Sequence, residues 1–153
     1  MKNLLHVLGW LEAGAHALDL VIRLYVAQVF FRSGLLKIGN WDGTLYLFEN
    51  EYKVPLLPPE AAAWFGTFAE LFFPVFLALG LAARFAAAAL FVFNIVAVAS
   101  FWHVLGENQA ALNSHWYWGV LLAVTIFHGP GKLSLDQWIW NRFGWRGSPA
   151  SAS

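Results

Sequence analysis

The sequence contains no cysteine. That excludes disulfides, thiolate nucleophiles and Cys-ligated zinc or iron–sulfur centres from the chain itself. Charge is scarce as well: Lys, Arg, Asp and Glu make up 12% of the residues, against about 25% in a typical soluble domain. They cancel to a formal net charge of zero, and no basic run exists to hold phosphates, so no nucleic-acid partner is expected. Metal-ligand spacings are missing too. There is no H-E-x-x-H, no H-x-x-E-H and no His pair at i,i+4, so no metal is expected. No internal repeat argues for an inverted-topology transporter.

What the chain has in abundance is apolar and aromatic. Of 153 residues 59% are apolar, with nine Trp, fourteen Phe and four Tyr to supply interfacial belts. The expected class is an all-α membrane protein, a four-transmembrane-helix bundle with N-terminal and C-terminal amphipathic helical segments. Its spans are predicted at about 19–39, 61–81, 85–105 and 115–128, with an interfacial helix at about 134–145. All of these fall in one domain over residues 1–147, followed by a disordered tail at 148–153. Ala15-His16-Ala17 mimics a signal-peptidase site, but the stretch before it holds His6, Gly9, Trp10 and Glu12. That is a poor signal core, and the N-terminus is expected to be retained.

The first span carries Arg23, Gln28, Arg32 and Lys37. A cation in hydrocarbon costs about 2.5–3.5 kcal/mol by insertion scales unless it is paired, hydrated or snorkelling. These charges must therefore turn toward protein. At 100° per residue Glu12, His16, Asp19, Arg23, Gly34 and Lys37 share one face, with Gln28 and Arg32 opposite. Glu12–His16 and Asp19–Arg23 have the spacing to hide each other's charge.

Beyond Gly39, Leu45-Tyr46-Leu47-Phe48 reads as a short interfacial helix anchored by Trp41 and Tyr52. Pro58-Pro59-Glu60 is a helix entry, and Gly80 to Arg84 is a tight turn. Pro74 is expected to free a carbonyl and kink the second span. Ser134-Leu135-Asp136-Gln137 has the form of a capping box. Lys2, Arg84, Lys132, Arg142 and Arg146 lie on one side and Lys53 on the other, which places both termini in the cytoplasm.

Glu70 is the single acid of the second span and needs a cation from the first. Matching helix depths favours Arg32 over Lys37. A buried ion pair that fixes helix register and a substrate or proton site are equally compatible with it. His103 and His115 end and begin consecutive spans on the outer side, whereas His16 and His128 belong on the inner side. Each can be an ordinary interfacial histidine, and His103 with His115 can also donate hydrogen bonds at the mouth of a site.

Three stretches together resemble the DoxX family of membrane proteins. They are Arg23 with Phe30-Phe31-Arg32-Ser33-Gly34-Leu35-Leu36-Lys37, then Glu70-Leu71-Phe72-Phe73-Pro74 with Leu79-Gly80-Leu81-Ala82-Ala83-Arg84, and then Gly129-Pro130-Gly131-Lys132-Leu133-Ser134-Leu135-Asp136. The resemblance covers roughly residues 18–143, and its charged positions match Arg23, Lys37, Glu70, Arg84 and Asp136. It implies four membrane helices in the prokaryotic cytoplasmic (inner) membrane. It also implies a kinship with the small membrane subunit of an archaeal thiosulfate:quinone oxidoreductase. The Trp- and His-rich stretch from Phe101 to Trp118 departs from the family pattern, so the thiosulfate substrate is not carried over.

The expected function is therefore an integral membrane subunit of a redox system. It would offer a quinone or small-molecule site and work beside a protein partner or as a homo-oligomer in the bilayer. The candidate site residues are Arg23, Arg32, Lys37, Glu70, Arg84, His103 and His115. The alternative is a non-catalytic membrane scaffold or assembly factor for a partner protein, and the sequence leaves open whether the chain is an enzyme.

Overall fold

A computed structural model of the chain describes the backbone of residues 2–143 and the side chains of residues 14–142. The tail expected at 148–153 and the Glu12 side chain lie outside the described residues. Among those described there are helices and no strand.

Nothing interrupts the first apolar stretch, so the lead-in and the first span form one helix, α1 (Lys2–Gly39). Asn40 then starts α2 (Trp41–Asn50), its side chain accepting from the Gly43 N–H at 3.1 Å. Pro59 opens α3 (Pro59–Leu79), where its missing N–H is harmless. The helix continues through Pro74 and stops at Gly80, which takes a left-handed φ of 69°. α4 (Ala83–Ser100) ends earlier than the expected third span, because Phe101 leaves helical geometry before the single turn of α5 (Trp102–Leu105). α6 (Gln109–His128) starts earlier than expected, because Asn108 caps it by accepting from Ala111 N–H at 3.1 Å. α7 (Leu135–Phe143) follows Ser134, whose Oγ accepts from Gln137 N–H at 3.2 Å. The capping box is half made: the Gln137 amide donates to Asn141 instead of returning to Ser134.

The four long helices pack in a ring, α1 on α3, α3 on α4, α4 on α6 and α6 on α1. At its centre Val26, Ala27 and Phe30 meet Leu77, Ala86, Ala87, Leu90 and Leu122, and the alanines let backbones approach. A second, smaller cluster joins Phe48 of α2 to Ala62 and Ala63 of α3. Among the described residues three segments are long and apolar enough to cross a membrane: Gly14–Gly39, Pro59–Leu79 and Ala83–Ser100. At most 39% of any of these windows is buried within the chain, so most of their surface is apolar and faces outward, as lipid contact requires. The expected fourth span corresponds to α6. Its first turns carry Asn113, Ser114 and His115, which hold its apolar character below that of the other three.

Candidate functional site

Where α1 crosses α3 the two backbones nearly touch. A Cβ placed on Gly34 would lie 2.8 Å from Leu71 Cγ and 3.1 Å from Glu70 Cβ. Any larger residue would have to displace the Leu71 side chain, and the close approach brings the α1 face carrying Ser33 and Lys37 onto Glu70. Lys37 Nζ donates to Glu70 Oε2 at 2.5 Å and to Ser33 Oγ at 3.1 Å. Ser33 Oγ in turn donates to Glu70 Oε1 at 3.2 Å. All three side chains form one closed, charge-neutral triangle.

This arrangement corrects the depth argument that paired Glu70 with Arg32. Arg32 sits five residues before Lys37, about 140° away round the helix, and its side chain is exposed. The shared polar face decided the partner, and depth did not.

The triangle forms one wall of a cavity of about 480 Å³ between α2, α3 and α4, a size typical of small-molecule sites. Phe48, Phe65, Phe73 and Phe93 supply apolar walls, and Tyr52 and Ser100 join Lys37 and Glu70 as its polar members. Ser100 Oγ is buried and has no hydrogen-bond partner. Tyr52 lies between Phe48 and Phe101, stacked at centroid distances of 4.7 and 4.6 Å. Burial pushes its phenol above the ordinary tyrosine range, and the Glu70 carboxylate adds to the shift.

The two outer histidines do not meet at this cavity, and neither lines it. His103 turns outward, its Nε2 3.2 Å from Glu51 Oε2. His115 turns into the α4–α6 contact, where Asn94 Nδ2 donates to the His115 carbonyl at 3.0 Å. That fixes the amide so that its oxygen accepts from His115 Nδ1–H at 2.8 Å. The structure does not bring the two together: His103 pairs with Glu51 just after α2, and His115 pairs with Asn94 of α4.

At the opposite end of the ring the charges join elements. Arg23, only 1% exposed, donates Nη1 to the Leu77 and Ala78 carbonyls at 3.2 Å each. Its Nη2 reaches the Leu133 carbonyl at 2.5 Å. Both carbonyls lie in the last turn of α3, where Leu77 also accepts from the Gly80 N–H and where a cation suits the helix dipole. Asp136 accepts from Ala82 N–H at 2.7 Å and Ala83 N–H at 2.9 Å, capping α4 from α7. Arg84 is exposed beside Gly129. Asp19 takes His128 at 3.0 Å, and no ion pair links it to Arg23 as the i,i+4 spacing suggested. Among the described residues no three His, Asp or Glu side chains converge as a metal site would need.

A family model for DoxX matches residues 18–103, a segment that holds the Lys37–Ser33–Glu70 triangle and every residue of the cavity wall. The chain belongs to the DoxX family. A protein of Haemophilus influenzae described as uncharacterized is 32% identical over 126 residues, which is 78% of this chain and 82% of the relative. No solved structure matches. This DoxX chain is thus a membrane protein whose family segment ends at His103, short of α6 and α7. Sequence reasoning missed Tyr52 and Ser100 as cavity residues and Asn94 as the partner of His115. For Asn94 and Ser100 the visible signal was polarity inside an otherwise apolar run, whereas Tyr52, in the polar stretch from Glu49 to Lys53, gave none.

Proposed function

We propose that this DoxX chain is the integral membrane subunit of a redox system, forming one domain that binds a quinone-type head group in the α2–α3–α4 cavity. The single observation that carries the reading is the Lys37–Glu70 pair set in the wall of an otherwise apolar cavity. The residues fit such a group. The aromatic lining, Phe73 and Phe93 included, suits a flat ring, and its two carbonyl oxygens need donors. Lys37 has a third N–H beyond its bonds to Ser33 and Glu70, and Ser100 Oγ is unpartnered. A quinone would bring two-electron, two-proton chemistry. The chain itself would bind and orient the head and keep water from it. The redox part of the reading comes from kinship with the DoxX family.

Binding of a decyl-tailed benzoquinone to the protein in lipid nanodiscs, followed by quenching of tryptophan fluorescence, tests this. In the Lys37→Met/Glu70→Leu double variant both charges leave together, so the fold should persist while binding falls by an order of magnitude, about tenfold for a lost charge-assisted hydrogen bond. Equal binding by wild type and a folded double variant would overturn the reading. It would favour the second one, a scaffold, which the use of Arg23 and Asp136 purely to join elements already supports.

A further inference from the structure

The cavity has two sides by which an occupant could arrive, and they are built differently. Toward the end where α2 lies, the stack of Phe48, Tyr52 and Phe101 stands across it. There the Lys53 N–H donates to the Ser100 carbonyl at 2.9 Å, which ties the α2–α3 connection to the last turn of α4. Between α3 and α4, among the described residues, no backbone hydrogen bond ties the helices, and the aromatic contact across them, Phe73 with Phe85 at 6.0 Å, lies toward the Gly80 turn. Phe65 and Phe68 of α3 and Val92 and Val96 of α4 line the cavity and are also exposed on the outside of the ring, at 63%, 56%, 60% and 37%. Residues that face both cavity and surroundings mark an opening. This one lies in the middle of two segments long and apolar enough to cross a membrane, so what surrounds it is lipid. Small side chains keep it open, since Ala69, Ala89 and Ala97 also line the space.

We propose that the occupant is a bilayer-dissolved amphiphile that enters sideways between α3 and α4, its head at Lys37, Glu70 and Ser100 and its hydrocarbon tail left lying in the slot. This rests on the reading that the cavity binds a quinone-type head. Tail and slot gain little hydrophobic energy over lipid, because lipid tails are as apolar as the slot. The slot therefore sets access and orientation, while the polar wall sets affinity. Ser100 Oγ, buried and unpartnered at the far end of α4, is the second polar anchor and fixes which way the head points.

Photolabelling in nanodiscs tests this with two decyl-tailed benzoquinones, one bearing a diazirine on the ring and one at the end of the tail. The expected result is ring label on residues near Lys37 and Ser100, and tail label on Phe65, Phe68, Val92 and Val96. Unlabelled quinone should compete with both. The Val92→Trp/Val96→Trp variant narrows the slot while leaving Lys37, Glu70 and Ser100 in place, and should lower the tail label several-fold. If the ring label is found but the tail label falls on residues 52–57 or on α1, the lateral route is overturned and the binding reading stands. If a headless alkyl diazirine labels the slot equally well, the slot holds bulk lipid and the inference is overturned. If no ring label depends on Lys37 and Glu70, both readings fall together.

Discussion

Lys37 and Glu70 illustrate why a charge pair inside a membrane is a sharper constraint than one on a surface. Each ion alone would be expensive in a low-dielectric setting, and together they are tolerable only with close geometry and satisfied lone pairs. Ser33 provides that last element, accepting from Lys37 and donating to Glu70. Glu70→Gln leaves Lys37 without its counter-charge and should destabilise the protein by about 3–5 kcal/mol, as breaking a buried pair does. The Lys37→Met/Glu70→Leu double variant should recover most of that loss. Denaturant unfolding in a mild detergent, run as a double-mutant cycle, measures the coupling. Additive single and double effects would show that the two side chains do not act as a pair.

Tyr52 supports a separate prediction of sign. Its folded-state pKa is raised by burial first and by Glu70 second. The unfolded chain therefore ionises this phenol before the folded protein does, near the ordinary tyrosine value of about 10. The stabilisation is fully present below that value and is lost as pH rises through the higher folded pKa. Unfolding measured from mildly alkaline to strongly alkaline pH should show a decline that is shallower in Tyr52→Phe. Identical slopes would mean that Tyr52 is solvated in the folded state.

At the scale of elements, the ring is closed by side chains that cap a helix other than their own. Asp136 satisfies two N–H groups at the start of α4, although it belongs to α7. Asp136→Ala should cost about 0.5–2 kcal/mol, the range for a lost N-cap. It should also free α7 for limited proteolysis while the Lys37-dependent cavity is unchanged. At the α1–α3 crossing the limit is volume. Gly34→Ala asks only that the Leu71 side chain move, but Gly34→Leu should separate the helices, at about 1–3 kcal/mol for overpacking, and abolish the Lys37–Glu70 bond. Unfolding midpoints of the two variants, compared with wild type, check the difference.

These contacts also show how far the sequence could be read. Helix periodicity and composition gave the end of α1 and both bounds of α3 to within about two residues, where Gly or Pro stops the helix, but carried the third span five residues past the end of α4, where Phe101 gives no such signal. The helical wheel placed Lys37 and Gly34 on the face that meets α3. Depth matching then chose Arg32, since it counts residues along a helix and ignores which way each points. Arg23 was legible as a buried cation but not as a ligand of carbonyls. Backbone acceptors carry no residue identity, so a sequence offers no sign of which helix end will receive a guanidinium. The same limit hid Asp136 as the cap of α4.

For the molecule as a whole, the open quantity is how α6 lies in the bilayer. Its two ends sit at opposite ends of the ring: His115 near the top of α4 through Asn94, and His128 beside Asp19 of α1. Helices α3 and α4 join those same two ends and have the composition of spans. Packed on α4 and α1, a helix of twenty residues is expected to follow them through the membrane unless the bilayer thins around it. Shielded by α1 and α4, α6 can carry Asn113, Ser114 and His115 without exposing them to lipid tails. The excess of Lys and Arg at the end bearing Arg84, Lys132 and Arg142 predicts, by the positive-inside rule, that this end faces the cytoplasm. The absence of cysteine makes the test clean, because every thiol in the protein will be one introduced. Asp42→Cys, Glu107→Cys and Lys132→Cys each replace an exposed side chain. In intact cells an impermeant maleimide should label the first two, and should reach the third only after permeabilisation. Labelling of position 107 and position 132 from the same side would leave α6 outside the set of spans. Labelling of position 132 alone in intact cells would invert the orientation, and the ring of four helices would then face the other way with its contacts unchanged.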